Sequence, residues 1–205
     1  MLWAIHLFGW ISGIDLGQLG VYPRRADGLI GLLAAPLIHG SFDHLISNSL
    51  PLFFLLAGLG YFYRRERWTV IAIAFFAPSL WVWVAGRSSY HIGASGMVYA
   101  LAFFVFFSGV FRRDRQAIAL ALAVALLYGS MVWGIFPIQP GVSWESHLFG
   151  ALAGVILAYY LRGHRPPKQP YSWEEESDED GLEDVLAPWN YKGRYLPPEG
   201  FRHPD

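Results

Sequence analysis

The 205-residue sequence contains no cysteine and little charge. Without cysteine the chain has no thiol nucleophile, no disulfide and no cysteine ligand for a metal. Only 15% of its residues are charged, whereas 54% are hydrophobic and 17% are aromatic. An ordinary soluble domain has about 25% charged residues, so the composition argues against that class of protein.

Four long stretches also lack Asp, Glu, Lys and Arg: 44–63, 68–86, 88–111 and 116–144. A helix needs about 20 mainly apolar residues to cross the hydrocarbon core of a bilayer, whereas barrel strands would be shorter and would alternate polar with apolar residues. We therefore predict an all-α, polytopic membrane protein. Its six expected spans are 1–17, 43–62, 68–86, 94–111, 117–135 and 146–162.

The loops between these spans differ in basic residues, with nine Lys and Arg on one side and three on the other. The richer set is Arg64, Arg65, Arg67, Arg112, Arg113, Arg115, Arg162, Arg165 and Lys168. The poorer set is Arg24, Arg25 and Arg87. Because basic residues concentrate in cytoplasmic loops, we predict that both termini are cytoplasmic.

Residues 166–205 differ in kind from the rest of the chain. They contain ten acidic residues, four basic residues and seven of the thirteen prolines. The run EEESDED at 174–180 cannot enter a packed core. We predict a membrane domain over 1–165 and an acidic, proline-rich, disordered cytoplasmic tail over 166–205.

The stretch HGSFDHLISN, residues 39–48, places polar groups at the start of the second span. His44 and Asn48 are four residues apart and share one face of a helix. Asp43 stands where the helix is expected to begin and is interpreted as its N-cap. Both His44 and Asn48 can donate hydrogen bonds without a fixed charge, which suits a partner that becomes negative only transiently. Alternatively, they bond neighbouring helices together.

Ser95 opens the fourth span between Gly93 and Gly96. Serine in a membrane helix is commonly a small packing residue. Here the two glycines allow another chain to approach the hydroxyl closely. The first turn of a helix also offers N–H groups that have no intrahelical partner.

His147 opens the sixth span and precedes a G-x-x-x-G pattern at Gly150 and Gly154. Glycines at this spacing let two helices approach closely, so His147 is expected to lie at a helix–helix seam. It either bonds a backbone carbonyl there or serves as a base.

Together these residues supply a hydroxyl, a histidine base and two neutral donors on the same side of the membrane. Those are the components of acyl transfer. No acid is available inside the spans as a third member, because Asp43 and Glu145 lie at helix edges and Asp114 is on the other side. A hydrolase of this kind would therefore use a Ser–His dyad. Tyr99 follows Ser95 by four residues and is a candidate to stack on His147 and orient it.

At this point the sequence resembles the rhomboid family of intramembrane serine proteases. The resemblance comes from GASG at 93–96, H-x4-H-x3-N at 39–48 and the histidine with spaced glycines at 147–154. It covers about residues 20–162, including the order of the motifs. One departure is the loop before the second span, where YPRRADG replaces the Trp-Arg pair of some bacterial members.

The resemblance implies an all-α, six-transmembrane-helix bundle that cleaves transmembrane-helix substrates near the outer membrane face. Ser95 matches the family's nucleophile, and His147 matches its general base. His44 and Asn48 match the oxyanion donors that work with the Ser95 N–H. Four residues match or are expected in supporting roles: His39 in organising the first outer loop, Tyr99 in packing on the histidine, Gly93 in clearance for substrate, and Gly150 in the seam.

The expected partners are transmembrane protein substrates and the lipid bilayer. No nucleic acid, metal or cofactor is expected. The expected location is a bacterial inner membrane. A metalloprotease would need a motif such as H-E-x-x-H, which is absent. A metal transporter could use the four histidines at 39, 44, 91 and 147, but no carboxylate lies among them in the spans. The remaining alternative is a catalytically silent rhomboid-like adaptor that binds membrane proteins. Such a protein would be expected to lack Ser95 or His147.

Overall fold

The computed structural model describes residues 1–127, 133–138 and 141–163. This part of the chain contains six helices of more than ten residues: α1 (Leu2–Ser12), α2 (Phe42–Phe62), α3 (Arg67–Ala85), α4 (Ser95–Arg112), α5 (Arg115–Leu127) and α6 (Trp144–Tyr160). Extended segments pair there only at an isolated antiparallel bridge between Val21 and His91, so the all-α prediction is confirmed. The predicted tail, 166–205, and residues 128–132 of the predicted fifth span lie outside the described residues.

Three of these helices, α2, α3 and α4, are long and apolar enough to cross a membrane by length and composition. Their bounds fall within a residue or two of the predicted second, third and fourth spans. α6 has 17 residues and matches the predicted sixth span closely. α1 and α5 are shorter, with 11 and 13 residues.

The predicted first and fifth spans are too long. α1 ends at Ser12 because Gly13 takes a left-handed conformation, with φ at 70°, which terminates helices and favours glycine. Asp15 then caps a separate 3-10 turn by accepting a hydrogen bond from the Gly17 N–H at 2.8 Å. In the predicted fifth span, the last three residues, Trp133–Ile135, form a 3-10 turn and not an α-helix.

α4 is the most enclosed of the three long helices. In the 18-residue apolar stretch of α4 that could cross a membrane, 67% is buried inside the protein, against 28% for the corresponding stretches of α2 and α3. Phe104 at its middle is fully buried and meets the ring of Tyr63 edge-on, with centroids 5.0 Å apart. Ser95 therefore begins the central helix of the bundle.

α6 crosses α4 at very short range through two glycines. A Cβ atom added to Gly150 would overlap the carbonyl oxygen of Gly96, and one added to Gly154 would overlap the carbonyl oxygen of Ala100. Small residues four apart give a helix face that permits this approach. The close packing predicted from the spacing is present, and it brings the first turns of α4 and α6 together.

α2 is capped by Ser41, and the prediction of Asp43 as its N-cap is wrong. The Ser41 backbone is extended, and its hydroxyl oxygen accepts a hydrogen bond from the His44 N–H at 3.1 Å. Asp43 lies in the first turn instead, where the positive end of the helix dipole stabilises its negative charge. Serine and aspartate are both good caps, so residue type alone did not distinguish them.

The chain between α1 and α2 is fastened to the segment that precedes α4. Val21 exchanges two backbone hydrogen bonds with His91, at 3.0 and 2.9 Å. The Ala35 carbonyl accepts a hydrogen bond from the Gly93 N–H at 2.9 Å. Arg24 donates through Nη1 to the carbonyl of Gly86, just beyond α3, at 2.9 Å. These bonds fix the backbone immediately before Ser95.

Candidate active site

The predicted site residues lie at the starts of α2, α4 and α6. Ser95 is the first residue of α4, and His147 lies in the first turn of α6. His44 and Asn48 occupy the first two turns of α2. The loop before α4 lies against α2 at Gly93, and α4 packs on α6 at Gly96. Three helix starts therefore surround one region.

His147 is held by a backbone carbonyl and by an aromatic ring. Its Nδ1 lies 2.8 Å from the carbonyl oxygen of Gly134. The Tyr99 ring stacks on the imidazole, with centroids 4.3 Å apart and planes 8° from parallel. A carbonyl oxygen can only accept a hydrogen bond, so in the neutral ring Nδ1 carries the proton and Nε2 is free to accept one.

Ser95 and His147 flank a direct contact between α4 and α6. A Cβ atom on Gly96 would lie 3.2 Å from the carbonyl oxygen of Ser146. Ser95 precedes Gly96 in the chain, and His147 follows Ser146. Tyr99, one turn after Ser95, reaches the His147 ring as described above. The two predicted catalytic residues are thus the sequence neighbours of the two residues that form this contact.

Gly93 is where α2 meets the loop that leads into α4. Its φ angle of 108° is one that side-chain-bearing residues rarely adopt. A Cβ atom there would lie 2.5 Å from His44 Nε2 and 3.6 Å from Asn48 Nδ2. His44 and Asn48 thus both face the backbone two residues before Ser95.

Asn48 has a buried donor that is unused among the described residues. Its side chain is 5% exposed, and its Nδ2 finds no hydrogen-bond partner there. An unsatisfied buried donor is costly, typically about 1–3 kcal/mol, and is therefore uncommon in native proteins. Such a group is available to a ligand.

His39 contacts the same loop at Ala94. Its Nε2 lies 3.4 Å from the Ala94 N–H nitrogen, and its ring meets that of His44 edge-on, with centroids 4.9 Å apart. Burial, with a smaller effect of His44, lowers the pKa of His39 to about 4. His39 is therefore neutral at physiological pH and does not place a positive charge beside His44.

Two features of the site were missed in the sequence. The Gly134 carbonyl that holds His147 carries no signal in the sequence, because every residue has a carbonyl. His91 has no role in the site that the sequence predicts, yet it is buried and 3% exposed. Its position directly before the GASG motif was the available signal.

The fold and this arrangement define a class of protein: a polytopic helical membrane protein with neutral polar groups enclosed at one end of its bundle. A comparison with protein families agrees, since the Rhomboid domain model matches residues 26–164, which is more than half of the chain. The chain therefore belongs to the Rhomboid family and is an integral membrane protein.

Relatives extend across several bacteria. An uncharacterized protein of Mycobacterium tuberculosis is 36% identical over 175 residues, which cover 78% of this chain and 71% of the relative. An uncharacterized protein of Mycobacterium leprae is 32% identical, covering 78% of this chain and 67% of the relative. A Bacillus subtilis protein provisionally named rhomboid protease YdcA is 26% identical over 153 residues, covering 73% of this chain and 74% of its own.

Proposed function

We propose that this protein is an intramembrane serine endopeptidase that cleaves transmembrane-helix substrates by a Ser95–His147 dyad. The observation that carries the proposal is the orientation of His147. Its Nδ1 faces the Gly134 carbonyl at 2.8 Å, which leaves Nε2 as the basic nitrogen. Its ring stacks on Tyr99, one helical turn after Ser95. A base so oriented, on a helix that packs against the helix which Ser95 begins, supports the proposal because serine acylation requires a base near the nucleophile.

In the proposed reaction, Ser95 Oγ attacks the scissile carbonyl carbon while His147 Nε2 takes the hydroxyl proton. The positive charge that forms on the imidazole is shared with the Gly134 carbonyl through Nδ1–H, in the place where a carboxylate stands in a triad. When the C–N bond breaks, His147 returns the proton to the leaving amine. The product is an acyl ester on Ser95.

The negative charge on the former carbonyl oxygen is met by neutral donors. Asn48 Nδ2 is buried and has no hydrogen-bond partner within the described part of the chain, and His44 Nε2 lies against the same Gly93 backbone. The Ser95 N–H, at the start of α4, lacks an intrahelical partner by the geometry of a helix. Donors fixed before the reaction stabilise the oxyanion without reorganisation.

Hydrolysis of the acyl ester needs a water molecule inside the membrane protein. His147 Nε2 would deprotonate such a water for attack on the ester carbonyl, and the proton would then return to Ser95 Oγ. This step restores the starting enzyme.

The distribution of basic residues supports an orientation with both termini in the cytoplasm and the Ser95 region facing the outer aqueous side. The location we propose is a bacterial inner membrane, which the bacterial relatives support. The substrates would be membrane-spanning helices cleaved near that outer face.

The proposal is tested by labelling purified protein in detergent with a fluorophosphonate probe, which reacts with activated serines. We expect stoichiometric labelling of the wild type and of Ser47→Ala, a control at an exposed serine of α2. Ser95→Ala and His147→Ala should lose labelling entirely, because nucleophile and base act as one unit. Absence of labelling in stable, correctly eluting wild type would instead favour the silent adaptor.

A further inference from the structure

His91 is a buried histidine that the proposed chemistry leaves unused. His91 is 3% exposed, and its backbone exchanges two hydrogen bonds with Val21. It lies four residues before Ser95, in the segment that leads into α4. A buried polar ring at so fixed a point needs hydrogen-bond partners of its own.

The partners of His91 define which ring nitrogen carries the proton. Nε2 lies 3.0 Å from the Arg87 carbonyl oxygen, which can only accept, so Nε2 is the donor. Nδ1 lies 2.6 Å from Ser143 Oγ and accepts the hydroxyl proton in the neutral ring. Burial lowers the pKa of His91, which favours that neutral form.

The hydrogen bonds continue from His91 into the first turn of α6. Ser143 Oγ lies 2.7 Å from Ser146 Oγ. Because Ser143 donates to His91, Ser146 donates to Ser143. Ser143 stands immediately before α6, and Ser146 immediately precedes His147. One chain of hydrogen bonds therefore joins the segment before Ser95 to the helix turn that carries His147.

Arg87 and Glu145 are the charged groups around this chain. The Arg87 N–H donates to Glu145 Oε1 at 3.3 Å, and the guanidinium Nε lies 3.7 Å from the same oxygen. Arg87 Nη2 also donates to the Val142 carbonyl at 2.7 Å. These bonds hold the α3–α4 loop against the start of α6. Within that contact, His91 is the member that lies closest in sequence to Ser95, and its hydrogen-bond chain ends at Ser146, directly before His147.

We propose that His91 is a positioning residue, an inference that rests on the proposed function. Through Nδ1 it clamps the first turn of α6 to the segment that leads into Ser95, and it thereby sets the alignment of His147 with the serine. The clamp acts through Ser143 and Ser146 and needs no contact with substrate.

Two amide substitutions separate the two ring nitrogens. The asparagine amide reaches about as far as Nδ1, and the glutamine amide about as far as Nε2. His91→Asn therefore keeps an acceptor for Ser143, whereas His91→Gln keeps a donor for the Arg87 carbonyl and loses the clamp. We expect the maximal rate of fluorophosphonate labelling to fall about 10-fold in His91→Gln. The half-saturating probe concentration should be unchanged, and His91→Asn should stay within about two-fold of wild type.

Ser143→Ala removes the same clamp from its other side. Ser143 makes no side-chain capping bond to α6, so alanine there does not remove a helix cap. This variant should be as slow as His91→Gln, and the double variant should be no slower than either. Wild-type rates in His91→Gln, or equal losses in the Asn and Gln variants, would overturn the clamp.

Hydrogen exchange tests the clamp without relying on activity. Amides over residues 143–148 should exchange faster in His91→Gln than in His91→Asn or wild type, and equal exchange in all three would overturn the proposal. Failure of the proposed function has a different signature, namely wild type that does not label at Ser95. In that case the exchange experiment still decides whether His91 holds the start of α6.

Discussion

The two ends of α4 hold buried polar groups of opposite kinds. At its end, Arg112 forms an ion pair with Glu66 at 3.3 Å, and the two side chains are 7% and 10% exposed. Arg112 Nη2 also donates to the Leu161 carbonyl at 2.8 Å, and its guanidinium lies 4.9 Å from the centre of the Tyr63 ring. At its start, by contrast, the predicted oxyanion donors His44 and Asn48 carry no fixed charge, and the ion pair between Arg87 and Glu145 belongs to the neighbouring loop contact.

The difference follows from what each end must do. A permanent tie between three segments is well served by opposite charges, which stay compensated at all times. A site for a transient negative charge is better served by neutral donors, since a fixed cation would need a permanent partner. Asn48, whose buried Nδ2 bonds to none of the described residues, and His39, neutral because of burial, fit the second case. One end of α4 thus favours stability, and the other keeps donors available.

The largest expected loss comes from separating α4 and α6 at the Ser95 end. Gly150→Leu introduces a side chain where even a Cβ atom would overlap the Gly96 carbonyl. Because a displacement of about 1 Å can cost about 100-fold in rate, we expect labelling and substrate cleavage to fall by at least that factor.

Gly60→Leu is the matched control for this variant, because no described atom outside the adjoining backbone of α2 lies within 4 Å of a Cβ atom built on Gly60. It should retain wild-type activity. Gel filtration in detergent would verify that both proteins remain folded. Normal activity in Gly150→Leu would show that the catalytic alignment does not depend on this crossing.

A smaller loss is expected when one neutral donor is removed. Asn48→Ala should slow cleavage of a membrane-inserted substrate by about 100-fold to 1000-fold or less, since His44 and the Ser95 N–H remain. Asn48→Asp keeps the shape but places an acceptor against the developing charge, so it should be at least as slow.

Ser47→Ala changes an exposed neighbour of Asn48 on α2 and should leave the cleavage rate unchanged. The rates are to be compared at saturating substrate, where differences in binding do not contribute. An undiminished rate in Asn48→Ala would remove this residue from the oxyanion site.

The sequence predicted the middle of the bundle better than its margins. Charge-free runs located α2, α3 and α4, because crossing a bilayer demands length and apolarity that few other elements share. The spacing of Gly150 and Gly154 predicted the α4–α6 crossing, because small residues four apart form a packing face. The predicted end of the first span was wrong because a glycine conformation, not hydropathy, ends α1. The predicted fifth span was wrong at Trp133–Ile135, which form a 3-10 turn.

At the candidate site, residue types were visible in the sequence but their backbone partners were not. His147 and Tyr99 could be paired from helix geometry, whereas the carbonyl of Gly134 that orients the imidazole is a main-chain group without a side-chain signature. The clamp through His91 depends on Ser143, which lies 52 positions away in the chain. Such contacts arise from the tertiary fold, so local patterns do not carry them.

The smallest effect on catalysis is expected at the charged end of α4, where the effect on stability should be large. Arg112→Met leaves Glu66 buried without its partner, so we expect unfolding in detergent to become easier by about 3–5 kcal/mol. The labelling rate per folded molecule should stay at the wild-type value, because Arg112 lies 17 residues beyond Ser95 along the helix.

Arg115→Met, at an exposed position, should change neither quantity. Replacing both partners, as in Glu66→Met with Arg112→Met, should recover most of the stability, because an apolar pair leaves no buried charge uncompensated. A loss of labelling per folded molecule in Arg112→Met that exceeds about two-fold would contradict the division of α4 into a stabilising end and a catalytic end, since the cost of an unpaired charge would then reach the other end of the helix.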